Sequence, residues 1–213
     1  DLLRSVAAVD RRIRVRFTTS HPQDMSARLI ATIASEENIC KFIHLPVQSG
    51  SDRVLGLMNR TYTREHYLRL VDTIRAAIPG ATFSTDIIAG FPSETDDDHR
   101  RTVELLEEVR FDGAFTFKYS PRERTPAFAM PDDVPDELKT SRISEIIATQ
   151  NRISGELNRA HIGQTFEILV EGESKKSASD FQGRTDGNKT VVFPATTGAQ
   201  PGEYLRVKIA RAN

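Results

Sequence analysis

The sequence predicts an α/β fold, part of a parallel barrel, followed by a small all-β module. Up to Tyr119, short apolar runs alternate with amphipathic helical stretches, and the connections between them are short. This alternation is typical of repeated βαβ units. From residue 162 onward, only short strands and turns are predicted, in a stretch of about 50 residues that suits a compact β-barrel. We therefore predict two parts, residues 1–161 and residues 162–213.

Capped helices and four strands are predicted in the first part. Thr63 is a plausible N-cap with Glu65 in the first turn, and Thr95 caps a helix that opens with three aspartates, which suit the positive end of a helix dipole. A long helix from about Asp136 to His161 leads into the second part. Four strands are too few for a closed eight-stranded barrel. The predicted strands are Ile13–Phe17, Phe42–Val47, Phe83–Ala89 and Gly113–Tyr119.

The composition limits the class of protein. Lys and Arg number 29 against 30 Asp and Glu, so any contact with RNA has to come from a local basic patch. No apolar run approaches the length of a membrane span and no signal peptide is evident, which favours a cytoplasmic protein without a membrane partner. The chain begins at Asp1 without Met, inside a predicted helix, and this start indicates a piece of a longer protein.

The single cysteine limits the chemistry that this chain can support. Cys40 is the only cysteine, so an internal disulfide is impossible, and one thiolate alone cannot hold an iron–sulfur cluster. We expect Cys40 to be a buried apolar residue beside a strand. The five histidines show no metal-binding spacing and are interpreted as structural. No metal site is predicted in this chain.

The first candidate site follows the second predicted strand. Gln48, Ser49 and Ser51 lie where a parallel strand ends and a helix begins, which is where such folds bind ligands. Gly50, between them, allows backbone to approach a ligand closely. Arg60, a few residues on, could hold a carboxylate. An ordinary strand-to-helix loop with a capping serine is the alternative, and the spacing alone favours that alternative.

The second candidate is a carboxylate inside an apolar strand. Asp86 stands in the run Ser84-Thr85-Asp86-Ile87-Ile88-Ala89-Gly90. A buried carboxylate is costly unless it is paired or binds a ligand. Asp86 is therefore a candidate ligand-binding residue. A carboxylate satisfied by neighbouring backbone or by an arginine explains the pattern equally well.

Candidate RNA contacts lie on loops. Arg122, after the last barrel strand, could contact phosphate, although a solvated loop with an Arg–Glu pair is commoner. Loops of a small β-barrel suit contacts to an RNA backbone. Solubilising surface charge is the alternative, because the module has seven Lys or Arg and six Asp or Glu. The candidates in the module are Lys175, Lys176, Arg184, Asn188 and Lys189, the last three around the hairpin turn signal Asp186-Gly187.

Taken together, the motifs resemble the methylthiotransferase family of radical S-adenosylmethionine (SAM) enzymes. The resemblance covers nearly the whole chain, and the second part looks like the TRAM domain of that family, an RNA-binding β-barrel. The stretch Gly183-Arg184-Thr185-Asp186-Gly187-Asn188 is most similar to the branch that acts on tRNA. The motifs of the first part are Phe17-Thr18-Thr19-Ser20-His21-Pro22, His44-Leu45-Pro46-Val47-Gln48-Ser49-Gly50-Ser51, Asp86-Ile87-Ile88-Ala89-Gly90-Phe91-Pro92-Ser93-Glu94-Thr95 and Tyr119-Ser120-Pro121-Arg122.

The resemblance implies a partial (β/α)6 barrel and a reaction. A 4Fe–4S cluster cleaves SAM to a radical that activates isopentenyladenosine beside the tRNA anticodon, and a second cluster takes part in forming the 2-methylthio group. Gln48 and Asp86 match family positions that contact SAM, and Arg60 matches one that can hold its carboxylate. Ser49, Ser51 and Gly90 accompany them in the matching motifs. The tRNA anticodon stem-loop is the implied partner.

The resemblance also has departures. The CxxxCxxC loop that binds the cluster, the first two barrel strands and the N-terminal domain with the second cluster's cysteines are all missing from this chain, which alone should be inactive. Arg124 stands where family members more often have glycine. Two alternatives stay open: the branch that modifies an aspartate of ribosomal protein S12, and a non-catalytic RNA-binding piece in which the half-barrel is only scaffold.

Overall fold

The computed structural model describes residues 1–18, 21–175 and 177–212, and it contains two sheets joined by a long helix. The first sheet is parallel, with strand order β1-β2-β3. The second is antiparallel, with order β6-β5-β4-β7. The helices are α1 (Leu2–Ala7), α2 (Ala27–Ser35), α3 (Asp52–Leu57), α4 (Arg64–Ala77), α5 (Asp96–Val109) and α6 (Asp136–Arg159). The strands are β1 (Phe42–His44), β2 (Thr82–Ala89), β3 (Gly113–Lys118), β4 (Thr165–Ser174), β5 (Ser177–Thr185), β6 (Thr190–Pro194) and β7 (Tyr204–Lys208).

The helices of the first part begin at the predicted caps. The Thr63 hydroxyl accepts a hydrogen bond from the His66 amide at 3.2 Å and so starts α4. Thr95 and Asp98 cap α5 reciprocally, since each side chain accepts from the other's backbone amide. The apolar stripes of α2, α4 and α5 pack with one face of the parallel sheet into a single core. In the described part of the chain, no helix combines the length and the apolar character needed to cross a membrane.

The predicted strand Ile13–Phe17 is wrong as a regular strand. Only Val15 pairs, through an isolated parallel bridge with Ile39. In the part of the chain that the structure describes, its backbone pairing is limited to the Val15 amide, which donates to the Asn38 carbonyl, and the Val15 carbonyl, which accepts from Cys40. Arg14 and Arg16 donate to backbone carbonyls of the β-module at 2.6 and 3.0 Å instead of flanking a regular ladder. The parallel sheet in the described residues therefore has three strands rather than four.

The β-module has the Greek-key strand order, with β7 returning beside β4, around a small core of its own. Ile168 and Val170 of β4 and Phe193 of β6 are buried there. Strands β4 and β5 are longer than predicted and pair almost up to the hairpin tip at Lys175. The turn between β5 and β6 contains Asp186-Gly187, as predicted. The prediction of a partial α/β barrel followed by a small β-barrel is confirmed.

Helix α6 carries a buried ion pair that fastens it to the loop after β2. The Arg142 guanidinium lies 3.0 Å from a Glu94 carboxylate oxygen, and the two side chains are 4% and 2% exposed. The other Glu94 contact is the Gly90 amide, which donates to Oε2 at 2.8 Å. Burial raises the pKa of Glu94 above its usual value, against the effect of these partners.

Replacing the cation of this pair gives a stability prediction. Arg142→Met should lower the free energy of unfolding by about 3–5 kcal/mol, because a buried carboxylate loses its counter-ion. A raised pKa means that folding favours the protonated carboxyl, so the loss should shrink as the solution goes from about pH 7 to about pH 5. The free energy of unfolding at each pH is measured by urea titration, with circular dichroism as the signal.

The matched control is Arg69→Met, which breaks the exposed pair with Glu65 on α4. Little change is expected from this control at either pH, because exposed pairs contribute little to stability. An equal loss for Arg142→Met at both pH values would contradict the role given to Glu94.

Candidate functional site

The face of the parallel sheet opposite the helices is open and mixes aromatic and polar side chains. Asp86 of β2 lies beside Phe115 of β3 in register, and Ile88 lies beside Phe117. Phe115 is 60% exposed and Phe117 is 48% exposed. The His44 ring meets Phe115 edge-on at 5.9 Å between centroids. Such large exposed apolar area in an α/β sheet indicates a face that contacts a ligand or further protein.

Asp86 is the carboxylate on this open face. Its Oδ1 lies 3.5 Å from His44 Nε2, and its side chain is one-quarter exposed. The other ring nitrogen of His44 lies 2.8 Å from the Ser84 hydroxyl. Asp86 is therefore held beside an imidazole but keeps an accessible edge. The alternative of a carboxylate satisfied by an arginine does not hold among the described residues, because no arginine pairs with Asp86.

Gln48 lies at the carboxyl end of this sheet in a strained conformation. Its φ is +72°, in the left-handed region that favours glycine. Its amide donates to the Asp86 carbonyl at 2.8 Å, and its carbonyl accepts from Ile88 at 3.0 Å. No partner for its side-chain amide occurs in residues 1–18, 21–175 and 177–212. A non-glycine residue kept in this conformation with an unpaired amide is a candidate ligand contact.

The two predicted serines lie against α5 and not on the open face. The Ser49 hydroxyl is buried 3.4 Å from that of Thr102. The Ser51 hydroxyl donates to Asp98 at 2.5 Å and also caps α3. A Cβ on Gly50 would lie 2.3 Å from the Arg101 carbonyl oxygen, so only glycine fits there. The serines and the glycine thus fasten the loop that presents Gln48, and the capping alternative describes Ser51.

Asp98 holds this loop as a carboxylate. Against the effect of its burial, hydrogen bonds from Arg53, Ser51 and Thr95 hold the pKa of Asp98 well below its usual range. It is consequently ionised at any physiological pH. Sequence reasoning missed this role, because an aspartate in the first helical turn is sufficiently explained by capping.

Arg60 and Gly90 complete the predicted cofactor set. Arg60 follows α3, and its backbone amide donates to the Leu55 carbonyl at 2.8 Å. Its guanidinium has no ion pair within the described ranges, so it is available to a carboxylate. Gly90 has φ +73°, and a Cβ there would lie 2.3 Å from Lys139 Cγ. Gly90 therefore serves the close packing of α6 on the strand end.

Three predicted RNA contacts lie in the contact between the two parts of the chain. Lys189 Nζ is 2.6 Å from Asp112 Oδ1 and 2.8 Å from Asn158 Oδ1. Asn188 Oδ1 accepts from Arg16 at 3.0 Å. Arg184 pairs with Glu171 at 3.2 Å, and its carbonyl accepts from Arg14. An RNA contact by Lys189 would require its ion pair to break, whereas the Arg184 side chain is paired within the module and only its carbonyl contributes to the junction.

The remaining predicted RNA contacts lie away from that junction. Lys175 is exposed at the tip of the β4–β5 hairpin. Lys176 lies outside the described residues. Arg122 is exposed in the loop after β3. Arg124, in the same loop, has φ +67°, which gives a physical reason why glycine would suit that position.

The turn between β5 and β6 touches the beginning of every strand of the parallel sheet. The Lys41 amide, just before β1, donates to Asp186 at 3.2 Å. The Thr82 hydroxyl, at the start of β2, donates to the Gly187 carbonyl at 2.9 Å. The remaining contact joins the turn residue Lys189 to Asp112, just before β3. These contacts were missed because nothing in the sequence relates residues more than 70 positions apart.

The hydrogen-bonding and aromatic groups of the open face fit a nucleoside that carries an amino-acid chain. A carboxylate with an accessible edge suits ribose hydroxyls, an unpaired amide suits the amino-acid or base edge, and exposed aromatic rings suit an adenine. Arg60 can meet a carboxylate. No group of three or more His, Cys, Asp or Glu side chains that could hold a metal ion occurs in residues 1–18, 21–175 and 177–212.

The fold defines part of an α/β barrel with an open face that mixes aromatic and polar side chains, and with an appended β-module. Comparison with known proteins makes the class specific. The model of the Radical SAM superfamily matches residues 1–106, and the model of the TRAM domain matches residues 159–213. The chain therefore belongs to the radical SAM superfamily and ends in a TRAM domain. Proteins of this superfamily use SAM and iron–sulfur clusters.

Curated relatives match the whole chain. The tRNA-2-methylthio-N(6)-dimethylallyladenosine synthase of Chloroherpeton thalassium is 53% identical over 213 residues, which are 100% of this chain and 47% of that protein. The synthase of the same name from Carboxydothermus hydrogenoformans is 50% identical over 209 residues, or 98% of this chain and 47% of that protein. The chain thus spans about half the length of these relatives. The resemblance drawn from the motifs is confirmed.

A solved structure supports the fold. Coproporphyrinogen III oxidase (HemN) from Escherichia coli, described as a radical SAM enzyme, superposes with a TM-score of 0.53 over 81% of this chain and 49% of that chain. The two sequences are 15% identical, so this likeness concerns the fold alone.

The conformation of Gln48 allows its side chain to be tested apart from the fold. Gln48→Gly should leave stability nearly unchanged, because relief of about 1 kcal/mol of strain offsets the lost packing. Binding of SAM by the complete protein, measured by equilibrium dialysis, should weaken by roughly tenfold, because one hydrogen bond to the ligand is lost.

Asn59→Gly is the matched control, since Asn59 also carries an amide and has φ +56°. It should change neither stability nor SAM binding. The ligand contact assigned to Gln48 would be refuted by a Gln48→Gly variant that binds SAM as tightly as the parent.

Proposed function

We propose that the complete protein is a tRNA methylthiotransferase, which converts dimethylallyladenosine next to the anticodon into its 2-methylthio derivative. The observation that carries the proposal is the union of a SAM-type open face with a TRAM domain, together with about 50% identity to synthases named for this reaction. A cytoplasmic location and a tRNA anticodon stem-loop partner belong to the proposal. So does a boundary between the two parts after residue 161.

When bound, SAM would supply the radical and the methyl group of the reaction. The residues of this chain bind and orient it. Asp86 accepts hydrogen bonds from the ribose hydroxyls, because its carboxylate remains partly exposed beside His44. Gln48 donates from its side-chain amide, and Arg60 holds the carboxylate. Ser49, Ser51 and Gly90 act indirectly by fixing the loops that present these groups.

The exposed aromatic residues of β3 exclude water from the same face. Phe115 and Phe117 lie in register beside Asp86 and Ile88 and are partly exposed. An adenine that is extruded from the anticodon loop can stack on such rings, and a dimethylallyl group is apolar. An apolar environment also protects a reactive radical from side reactions with solvent.

Contacts with the RNA backbone belong to the loops and to the β-module. Lys175 at the hairpin tip and Arg122 in the loop after β3 are the exposed candidates among the described residues, and Lys176 remains a candidate from the sequence. Arg184, Asn188 and Lys189 serve RNA binding indirectly, since they hold the module on the barrel. A module fixed in this way can present tRNA to the open face at a constant distance.

The proposal is tested by reconstituting the clusters of the complete protein and supplying two substrates in parallel, tRNA with dimethylallyladenosine and ribosomal protein S12. Mass spectrometry of nucleosides and of S12 peptides is the measurement. Methylthiolated nucleoside with unmodified S12 is expected. Modified S12 alone would place the protein in the other branch. Absence of both products, with SAM bound and RNA bound, would favour a non-catalytic RNA-binding protein.

The carboxylate of Asp86 gives a sharper prediction. Asp86→Asn keeps the shape but removes the charge, so the KM for SAM should rise by roughly 10- to 100-fold, the effect of losing hydrogen bonds to a charged acceptor. Initial rates of methylthiolation at several SAM concentrations measure this change. Asp72→Asn, an exposed position on α4, changes the charge equally and should leave the KM unaltered. An unchanged KM for Asp86→Asn would remove Asp86 from the SAM site.

A further inference from the structure

A large groove lies between the amino-terminal end of the parallel sheet and the β-module. Its volume is about 1670 Å³. Six Lys or Arg and four Asp or Glu side chains line it, together with aromatic residues such as Phe166 and Tyr204. The cations come from both parts of the chain: Arg11, Arg12 and Arg14 precede the sheet, whereas Lys189, Lys208 and Arg211 belong to the module.

Half of these cations are already neutralised. Arg12 pairs with Asp10, Arg14 lies 3.5 Å from Glu167, and Lys189 pairs with Asp112. The other three have no ion pair or side-chain hydrogen bond within the ranges that the structure describes. They are Arg11, Lys208 and Arg211, all exposed.

Two acidic side chains of the groove, Asp186 and Glu37, are not paired to Lys or Arg among the described residues. Asp186 accepts a hydrogen bond from the Lys41 amide. Glu37 also lines the groove. Three unpaired cations against these two acids leave the groove an excess of one positive charge, in a chain whose net charge is -1. Such a local excess in a neutral protein indicates an anionic partner.

The contact between the two parts of the chain brings the three cations to one groove. The Tyr204 hydroxyl donates to the Arg12 carbonyl at 2.8 Å, and the Arg14 guanidinium lies over the Tyr204 ring at 5.0 Å. These contacts lay the segment before the sheet along β7. In β7, Leu205 and Val207 point into the module, so Lys208 is on its outer face. Neither part of the chain has this surface alone.

We propose that Arg11, Lys208 and Arg211 form a binding surface for the phosphate backbone of the substrate RNA. The inference deepens the proposed function, because it takes the substrate to be RNA. Guanidinium and ammonium groups without internal partners match phosphate, and two of the three cations, Lys208 and Arg211, belong to the TRAM domain, which favours RNA over an acidic protein as the occupant. The groove is called the junction surface below.

The position of the junction surface separates two kinds of RNA contact. Its three cations come from the segment before the sheet and from the module, and the groove continues past Ser84 and Phe115 onto the open face, whose carboxyl end carries Gln48. Phosphates of the stem can occupy the junction surface while a base of the loop reaches the open face. Phosphate contacts at the junction should therefore set affinity without touching the reacting base.

The test compares two triple variants of the complete protein. The junction variant is Arg11→Gln, Lys208→Gln and Arg211→Gln. The control variant is Arg69→Gln, Arg100→Gln and Arg152→Gln, which removes the same charge from exposed positions on α4, α5 and α6. Fluorescence anisotropy measures the Kd of an anticodon stem-loop RNA at several KCl concentrations, with and without the dimethylallyl group. Circular dichroism and Tm verify folding.

The junction variant should bind at least roughly tenfold more weakly, and the slope of log K against log salt should fall by about 2, since each lost phosphate contact removes roughly 0.7–0.9. Both RNAs should be affected equally. The control should remain within roughly twofold of the parent. In turnover assays, the junction variant should show a higher KM for tRNA and an unchanged kcat.

Three results would overturn the inference: an unchanged Kd, a weaker Kd with an unchanged salt slope, or an equal loss in the control variant. The first would also be the result if the groove accepts another protein segment instead of RNA. Failure of the proposed function is a separate outcome. In that case the protein yields no methylthiolated nucleoside, yet the junction variant still binds RNA more weakly and with a smaller salt slope.

Discussion

The turn at Asp186–Lys189 fixes where the β-module lies, and the rest of the arrangement depends on that contact. The turn reaches the beginning of each of the three parallel strands through Lys41, Thr82 and Asp112. The fit is close: a Cβ on Gly187 would lie 2.7 Å from Thr82 Cγ2. Glycine at this position leaves room for the Thr82 side chain, so a small local feature of one hairpin determines the relation of two domains.

This contact divides the ends of the sheet between two tasks. The amino-terminal end carries the β-module, and the carboxyl end carries Gln48 and the approach to Asp86. Helix α6, 24 residues and about 36 Å long, connects both ends. Its first half is fastened by Arg142 to Glu94 after β2, and near its end Asn158 accepts from Lys189. A base and a phosphate of one RNA can thus be held at a fixed separation.

Local features were predictable from the sequence because they depend on neighbouring residues. Thr63 and Thr95 begin helices by capping within four residues, and the buried Cys40, whose thiol has a pKa raised by burial to about 11, followed from its apolar neighbours. The order of the motifs indicated the family correctly. Gln48 and Asp86 were identified as candidates from their places at the end of a strand and within an apolar strand. The residues that lie next to them in space could not be identified in this way.

Long-range contacts were not predictable. Lys189 and Asn188 were expected to face RNA, since a basic hairpin tip without knowledge of its neighbours suggests an exposed loop. Arg14 and Arg16 were interpreted as part of a regular strand, whereas their side chains bond to carbonyls about 170 positions away. Which face of α6 is buried also escaped prediction, because Arg142 at a buried position looks like a solvent-facing charge.

A disulfide across the domain contact tests the central claim most directly. Ideal Cβ atoms at Gly187 and Thr82 lie 3.4 Å apart, close to the separation that a disulfide needs. In the 213-residue chain with Thr82→Cys and Gly187→Cys, mild oxidation should cross-link nearly all molecules, as read by non-reducing electrophoresis and mass spectrometry. Thr82→Cys with Gly198→Cys, an open surface position, should not cross-link. A Thr82–Gly187 cysteine pair that stays reduced, or that reacts no faster than the control pair, would contradict a module docked on the strand ends.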